Sequence, residues 1–142
     1  MRSDFSAERD HFLIDFRVIP DIRGKLCVIE GNTGLPFDIK RVYYLFDVPT
    51  GSERGGHAHL QLQQLLIPIS GSFSVRVSSR SGSQIYRLFE PSSALYIGPG
   101  VWRELLEFSS NAVCLVLASM QYDEADYIRS RAEFDQRILG GL

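Results

Sequence analysis

Cysteine, lysine and long apolar runs are scarce in the sequence, and each scarcity narrows the class of protein. Cys27 and Cys114 are the only cysteines among 142 residues, which does not support a disulfide framework. No apolar run is long enough to span a bilayer, and residues 1–10 carry acids without the apolar segment of a signal peptide. We therefore expect a cytoplasmic protein with reduced thiols and no membrane helix.

The charged residues give no general attraction to nucleic acid or to an anionic membrane, because the net charge is -2 and no polybasic run occurs. Lysine stands only at Lys25 and Lys40, so thirteen of the fifteen basic residues are arginines. The planar guanidinium fork suits phosphate and carboxylate groups, and arginines near a site can therefore hold an anionic ligand. A composition bias of the genome is the alternative explanation.

The chain length fits one domain, residues 1–142, in which residues 1–10 form an irregular arm. Nine or so short strands separated by Gly, Pro and Ser turns predict an all-β sandwich or barrel. The first strand is predicted from His11 to Ile19, ending at Pro20, and strand signals run from His57 toward Ile69. Helix is expected only near the end, across Asp123–Tyr127 and Ser130–Arg137.

Two of the three histidines, His57 and His59, follow a loop of glycines and opposite charges that begins at Gly51. On a strand, residues two apart point to one face, so both imidazoles would meet the same ligand. The strand predicted at 39–48 offers two faces, one with Arg41, Tyr43 and Leu45 and the other with Val42, Tyr44 and Phe46. Periodicity does not choose which of them faces a pocket.

The spacing from Gly51 through His57, His59 and Gln64 to Gly71 resembles the first motif of the cupins, which are double-sheet β-barrels of the jelly-roll type. In metal-binding cupins a Glu stands where this chain has Gln64, and a further His stands where it has Arg103, after the turn Pro99-Gly100. An arginine does not ligate a metal, and its charge opposes one. The resemblance therefore implies a cupin barrel that holds no metal and uses no cofactor.

A narrower resemblance covers about Asp21 to Phe134. The segments that carry it are Asp21–Gly24, Ile39–Tyr44, Arg54–His59, Tyr96–Glu104, Leu117–Ser119 and Tyr122–Arg129. They resemble the sugar 3,4-ketoisomerase (WxcM-like) family, which acts on dTDP-4-keto-6-deoxyglucose. The resemblance implies a 3-keto product formed through an enediol on the way to a 3-amino-3,6-dideoxy sugar of a cell-surface glycan. It also implies a homodimer, often with exchanged N-terminal strands, which would give the first strand a partner to join.

The resemblance assigns catalytic roles to His57 and His59 as proton carriers and to Tyr43 as a hydrogen-bond donor to the enediolate. It leaves open which histidine takes the proton from C3. The residues expected to bind the substrate are Arg23, Arg41, Arg54, Gln64, Tyr96, Trp102 and Arg103. The arginines would hold the pyrophosphate, Gln64 the sugar, and the two aromatic residues the thymine.

Other functions are compatible with the residues taken without the resemblance. A different cupin enzyme, either a metal-dependent oxygenase or a sugar epimerase, would use the same barrel. A non-catalytic protein that binds nucleotide sugars would also use it. A purely structural pair of histidines, bonded to loop backbone, is the simplest alternative for His57 and His59. The configuration of the product at C4 is not determined by the sequence.

Overall fold

The structure, a computed structural model, describes residues 9–31 and 34–140. Twelve strands lie in these ranges, and short helical turns lie just before and after the last of them. The strands are β1 (His11–Asp15), β2 (Val18–Asp21), β3 (Gly24–Cys27), β4 (Arg41–Phe46), β5 (Arg54–His59), β6 (Gln64–Ser70), β7 (Phe73–Ser79), β8 (Gly82–Leu88), β9 (Ser93–Ile97), β10 (Trp102–Leu106), β11 (Val113–Ala118) and β12 (Tyr127–Ile128).

Two five-stranded antiparallel sheets form the body of the protein. One has the order β1-β9-β6-β11-β4, the other has the order β12-β5-β10-β7-β8, and β2 pairs only with β3. The alternation in β7 predicts that Phe73, Val75 and Val77 face the core, and all three are 0% exposed. The predicted all-β, cupin-type double sheet is confirmed. No helix within the described ranges is long and apolar enough to cross a membrane.

The N-terminal strand differs from the prediction, because residues 11–21 form two strands instead of one. β1 pairs with β9 of the same chain, and the chain then leaves that sheet at Phe16 and Arg17. Pro20 was predicted to end the strand but lies inside β2, opposite Lys25 of β3. A proline without an N–H is tolerated there because β2 has a strand neighbour on one side only.

The strand predicted from His57 toward Ile69 is also divided, into β5 and β6, by a turn at residues 60–63. The helix predicted at Asp123–Tyr127 is a single 3-10 turn, Glu124–Asp126. The last predicted helix begins after Ser130, whose Oγ accepts from the Glu133 N–H at 3.1 Å, as α1 (Arg131–Phe134), and it continues as a π-helical turn, Asp135–Leu139. Residues 1–8 of the predicted arm lie outside the described ranges.

Candidate active site

A cavity of about 460 Å³ opens between the two sheets and takes its lining from both. β4 contributes Arg41, Val42, Tyr43 and Leu45, and because three of these four alternate along the strand, the face with Arg41, Tyr43 and Leu45 is the pocket face. The other face, with Val42, Tyr44 and Phe46, is 56–61% exposed. The remaining strands and the segment after β12 contribute Arg54, Gly55, Gly56, His57, Gln64, Leu66, Arg103, Leu105, Val116, Tyr127 and Arg129.

The two histidines share one face of β5, as the spacing predicts, and their ring centroids are 4.8 Å apart. A bulge sets this placement, because β5 has one more residue than β10 between the pairs Arg103–His57 and Leu105–Arg54. Gly55 lies in the bulge with φ +80°, a conformation that favours glycine. The bulge brings His57 directly opposite Arg103.

The histidines differ in access to the cavity. His57 is half-buried and lines it, whereas His59 is 1% exposed and lies behind the lining. Burial, then Arg103 and Arg129, lower the pKa of His57 to about 3, against an opposing effect of Glu124. Burial and then Arg103 lower the pKa of His59 to about 2. Both rings are therefore neutral at physiological pH, and each has a nitrogen that can accept a proton.

A chain of hydrogen bonds forms the floor of the cavity. Arg103 donates from Nη1 to Gln64 Oε1, and Gln64 Nε2 donates to the Tyr43 hydroxyl oxygen at 2.9 Å. Because that oxygen already accepts one bond, the hydroxyl proton of Tyr43 is free to point into the cavity. Burial raises the pKa of Tyr43, so the hydroxyl remains a donor at neutral pH.

Arg103 is a buried cation without an acidic partner. Its side chain is bonded to Gln64 and to the Val101 carbonyl, and no carboxylate within residues 9–31 and 34–140 forms an ion pair with it. Burial lowers its pKa to about 10, which still leaves the guanidinium charged at neutral pH. The cavity floor therefore carries a positive charge that no ion pair neutralises, although the charge of Asp126 also acts on it.

This set of residues does not fit a metal ion. His57 and His59 stand where a cupin presents two ligands, but the guanidinium of Arg103 occupies the same floor and is bonded to Gln64. A cation so placed repels a metal and offers it no lone pair. Within the described part of the chain, no three His, Cys, Asp or Glu residues are grouped to hold a metal.

Three further arginines surround the cavity. Arg41 is half-buried, and its Nε has no hydrogen-bond partner in the structure. Arg54 is exposed on the first residue of β5. Arg129 binds Glu124 at 2.8 Å and lies over the Tyr127 ring, with Cζ 4.0 Å from the ring centroid. An anionic ligand would meet positive charge at the entrance as well as at the floor.

Three residues expected to bind substrate lie outside this cavity. Trp102 is 5% exposed on the outer side of its sheet, where it packs with Phe134, and Tyr96 stacks on Phe12 at 4.7 Å on the outer side of the other sheet. Strand alternation explains this placement, since Trp102 precedes the inward-facing Arg103 and Tyr96 precedes Ile97, which pairs with Gln64. The geometry gives no support for stacking of either ring on thymine.

Arg23 is the third of these residues. It lies at the turn between β2 and β3, where its side chain is 85% exposed and pairs with Asp21 at 2.6 Å. Neither strand of this hairpin joins the two main sheets of its own chain. Arg23 therefore makes no contribution to the cavity of the chain that carries it.

No role was predicted for the residues of the segment after β11, although its motif formed part of the resemblance. Tyr127 lies against both histidines, with ring centroids 5.0 Å from His57 and 4.3 Å from His59. The Asp126 Oδ2 accepts from His59 Nδ1 at 3.1 Å. This contact joins residues 67 positions apart, so no local sequence signal points to it.

Comparisons with known proteins agree with one another. The family described as "FdtA: WxcM-like, C-terminal" matches residues 9–138. A TDP-4-oxo-6-deoxy-alpha-D-glucose-3,4-oxoisomerase of Aneurinibacillus thermoaerophilus is 46% identical over 126 residues, which are 89% of this chain and 91% of that protein.

Two crystal structures extend the similarity to the fold. QdtA, a sugar 3,4-ketoisomerase of Thermoanaerobacterium thermosaccharolyticum in complex with TDP, is 44% identical with a TM-score of 0.90, covering 94% of this chain and 97% of that one. WlaRB, a TDP-quinovose 3,4-ketoisomerase of Campylobacter jejuni, is 43% identical with a TM-score of 0.86, covering 91% and 99%.

Proposed function

Because the chain belongs to the FdtA (WxcM-like) family and is a TDP-sugar 3,4-ketoisomerase, we propose that the reaction takes place in the cavity between the sheets, with His57 facing the sugar. The substrate is TDP-4-keto-6-deoxyglucose, and the product is the corresponding 3-keto sugar. The observation that carries the assignment of residues is the neutral imidazole of His57 directly opposite the buried cation of Arg103. The whole chain acts as one cupin domain.

In the first half of the reaction His57 takes the proton from C3. The electrons of that bond form the C3–C4 double bond, and the carbonyl pair moves to the C4 oxygen as an enediolate. The hydroxyl of Tyr43 donates to this oxygen, supported by Gln64 and Arg103. The new negative charge also raises the proton affinity of His57, so the proton transfer becomes favourable only as the intermediate forms.

In the second half the proton of the C3 hydroxyl passes to the C4 oxygen, the electron pair left on the C3 oxygen forms the C3 carbonyl, and the electrons of the C3–C4 double bond take the proton held by His57 onto C4. The overall change is an isomerisation, so no oxidant or reductant is consumed. The face of the enediolate that receives the proton sets the configuration at C4. A neutral histidine paired with a hydrogen-bond donor to oxygen suits both proton transfers.

The TDP group is held at the cavity entrance by Arg41 and Arg54. Arg41 supports this assignment because its buried Nε lacks a partner in the structure and is available to a phosphate oxygen. Arg54 is exposed and lines the same opening. Arginine forks match the pyrophosphate, and this binding is common to substrate and intermediate.

The test is incubation with TDP-4-keto-6-deoxyglucose in D2O, followed by NMR. The 3-keto product should appear, with exchange of the C3 proton. His57→Asn should lower turnover by about 10²-fold or more, the usual effect of removing a general base. His11→Asn is the matched control, because His11 contacts Tyr86 away from the cavity and should leave turnover nearly unchanged. Full activity of His57→Asn would refute the assignment of the base.

The active protein is a homodimer in which the N-terminal hairpin β2-β3 reaches the partner subunit. Support comes from the apolar side chains that the hairpin exposes, Ile19, Ile22, Leu26 and Val28, and from the outer face of β4, where Val42, Tyr44 and Phe46 are exposed. Exposed clusters of large apolar side chains commonly mark a surface that a protein partner covers. Sedimentation equilibrium should give twice the 16.0 kDa chain mass, and a monomer at micromolar concentration would contradict it.

The 3-keto product is suited to an aminotransferase that places nitrogen at C3, giving a 3-amino-3,6-dideoxy sugar for a cell-surface glycan. We place the protein in the cytoplasm, where its substrate carries a thymidine nucleotide and where Cys27 and Cys114 remain free thiols. Cell fractionation, with the activity measured in each fraction, checks the location.

A further inference from the structure

Tyr127 lies where the segment after β11 returns to the site. As the first residue of β12 it pairs with His59 of β5. Directly paired residues of antiparallel strands point to the same face of a sheet, so the Tyr127 side chain shares the inner face with both histidines. It is half-buried and lines the cavity beside His57. The reaction steps assigned to His57, Tyr43 and Arg103 leave this residue without a task.

The ring of Tyr127 packs against both imidazoles. Its centroid is 5.0 Å from that of His57 and 4.3 Å from that of His59, and the two imidazoles meet edge to face at 4.8 Å. His59 is itself fixed by its bond with Asp126 at 3.1 Å. The His57 ring is therefore in contact with two neighbouring rings, and close packing of this kind restricts a side chain to one rotamer.

Packing is also what orients His57, since its ring forms no hydrogen bond with another residue of the ranges 9–31 and 34–140. A catalytic base is commonly oriented by a hydrogen bond to a third group. In this site the rings of Tyr127 and His59 take the place of such a bond.

The ring of Tyr127 is held in turn by a cation. Arg129 lies over it with Cζ 4.0 Å from the ring centroid, and Glu124 accepts two hydrogen bonds from Arg129, at 2.8 and 2.9 Å. A guanidinium over an aromatic face attracts the ring. The Tyr127 hydroxyl forms no hydrogen bond with the described part of the chain. The contacts of Tyr127 therefore belong to its ring.

We propose that Tyr127 is a positioning residue whose ring, covered by Arg129, holds the imidazole of His57 in the orientation that faces the sugar. The effect passes through His57 and needs the aromatic ring, not the hydroxyl. Orientation matters because a displacement of about 1 Å at a reacting group can lower the rate about 10²-fold. The inference rests on the proposed function of His57 as the base.

Two replacements in the full-length protein separate the ring from the hydroxyl. Tyr127→Leu should lower kcat by about 10- to 10²-fold and change KM less than about threefold, because the arginines that hold the diphosphate are intact. Tyr127→Phe keeps the ring and should leave kcat within about twofold of the unmodified protein. An unchanged kcat in Tyr127→Leu, or an equal loss in Tyr127→Phe, would overturn the proposal.

Tyr86→Leu is the matched control. Tyr86 is also a half-buried tyrosine packed on a histidine, with its ring 5.6 Å from that of His11, but it lies outside the cavity. Its replacement should leave kcat within about twofold. A loss as large as that of Tyr127→Leu would show that kcat responds to any loss of aromatic packing, and it would overturn the proposal.

NMR titration of His57 without substrate gives a readout that a general loss of stability does not move. Burial is the largest cause of the depressed pKa of this residue. Tyr127→Leu should admit water and raise that pKa, whereas Tyr127→Phe should not. Arg103, Arg129 and Glu124, the charged groups that act on His57, are the same in both variants. An unchanged titration in Tyr127→Leu would overturn the proposal.

The unmodified protein provides a measurement that does not depend on the folding of a variant. Nuclear Overhauser effects should connect the ring protons of Tyr127 with those of His57, and their absence would overturn the proposal even if the ketoisomerase reaction proceeds as described. Full activity in His57→Asn would instead refute the base assignment and, with it, the role of Tyr127, whatever the NMR result.

Discussion

Tyr43 and its neighbour Tyr44 form a matched pair, since β4 turns one toward the cavity and the other toward solvent. Tyr43→Phe removes the hydroxyl that receives the Gln64 bond and donates to the enediolate. We expect kcat to fall by about 10²- to 10³-fold, the range for loss of one donor at a developing oxyanion. Tyr44→Phe should leave kcat unchanged. Steady-state kinetics check this, and equal rates for the two variants would contradict the role of Tyr43.

Arg103 influences both the intermediate and the base. In Arg103→Met the positive charge at the floor is lost, and with it the donor to Gln64. We expect kcat to fall by about 10²-fold or more, because the enediolate is no longer stabilised. The pKa of His57 should rise, since Arg103 is the second largest cause of its depression after burial.

The measurement for Arg103→Met is the pH dependence of kcat/KM. The acid limb belongs to the free enzyme and should move to higher pH in the variant as the pKa of His57 rises. A limb that stays in place, or moves to lower pH, would contradict the electrostatic coupling between the two residues. Arg80→Met provides a control, because Arg80 is exposed and bonds to the Ile138 carbonyl outside the cavity.

Among single residues, the sequence predicts those that belong to a recognisable spacing better than those that contact them from a distant segment. Each of the two histidines, Gln64 and Arg103 stands at a fixed position of such a spacing. The structure brings all four residues together. Asp126 was missed because its contact with His59 spans 67 positions and has no local pattern. Long-range pairing of this kind is created by the fold.

At the level of elements, some of the loops that join strands require glycine. Gly71, between β6 and β7, has φ +66°, and an added Cβ would lie 2.4 Å from Ser109 Oγ and 2.8 Å from Ala112 Cα. Gly51 has φ +87° but nothing within 4 Å of its Cβ position. Both conformations disfavour side chains, and only the first is also crowded.

We expect Gly71→Ala to lower the free energy of unfolding by roughly 2 to 4 kcal/mol, because the backbone at Ala112 must move. Gly51→Ala should cost about 1 kcal/mol, the conformational term alone. Urea unfolding at a fixed protein concentration measures both. Equal losses would show that the crowding at Gly71 relaxes without cost.

Element boundaries follow from tertiary contacts that the sequence does not display. The turn at residues 60–63, which interrupts the strand predicted from His57 toward Ile69, is held by Asp126. The side chain of Asp126 accepts hydrogen bonds from the N–H groups of Gln61 and Leu62.

The placement of Trp102 outside the cavity could have been predicted, because adjacent strand residues face opposite ways and Arg103 was already placed in the cavity.

At the level of the whole molecule, stability should depend on pH through the histidines. The folded pKa values of His57 and His59, about 3 and about 2, lie below the value of 6.5 for a free imidazole. Burial also lowers the pKa of His11. The unfolded chain therefore binds more protons than the folded chain as the pH falls through 6.5 toward 3, and the free energy of unfolding decreases through that window.

We expect the urea midpoint at pH 5 to be lower than at pH 7.5, with little further change above pH 7.5. His57→Asn should flatten this dependence, because the asparagine does not titrate. Measurements at pH 5 to 7.5 avoid the range in which carboxylates titrate in the unfolded chain. A midpoint that stays constant or rises as the pH falls from 7.5 to 5 would contradict the depressed pKa values.

The unpaired guanidinium of Arg103 has a consequence for how the enzyme could be inhibited. Burying this charge without an ion-pair partner lowers the stability of the folded protein. A negatively charged group bound inside the cavity would recover part of that stability. A neutral keto sugar does not supply that charge at its ring. A flat, anionic ring that mimics the enediolate does supply it, so tight inhibitors of this enzyme should carry their charge at the C3–C4 edge of the ring and not only on the diphosphate.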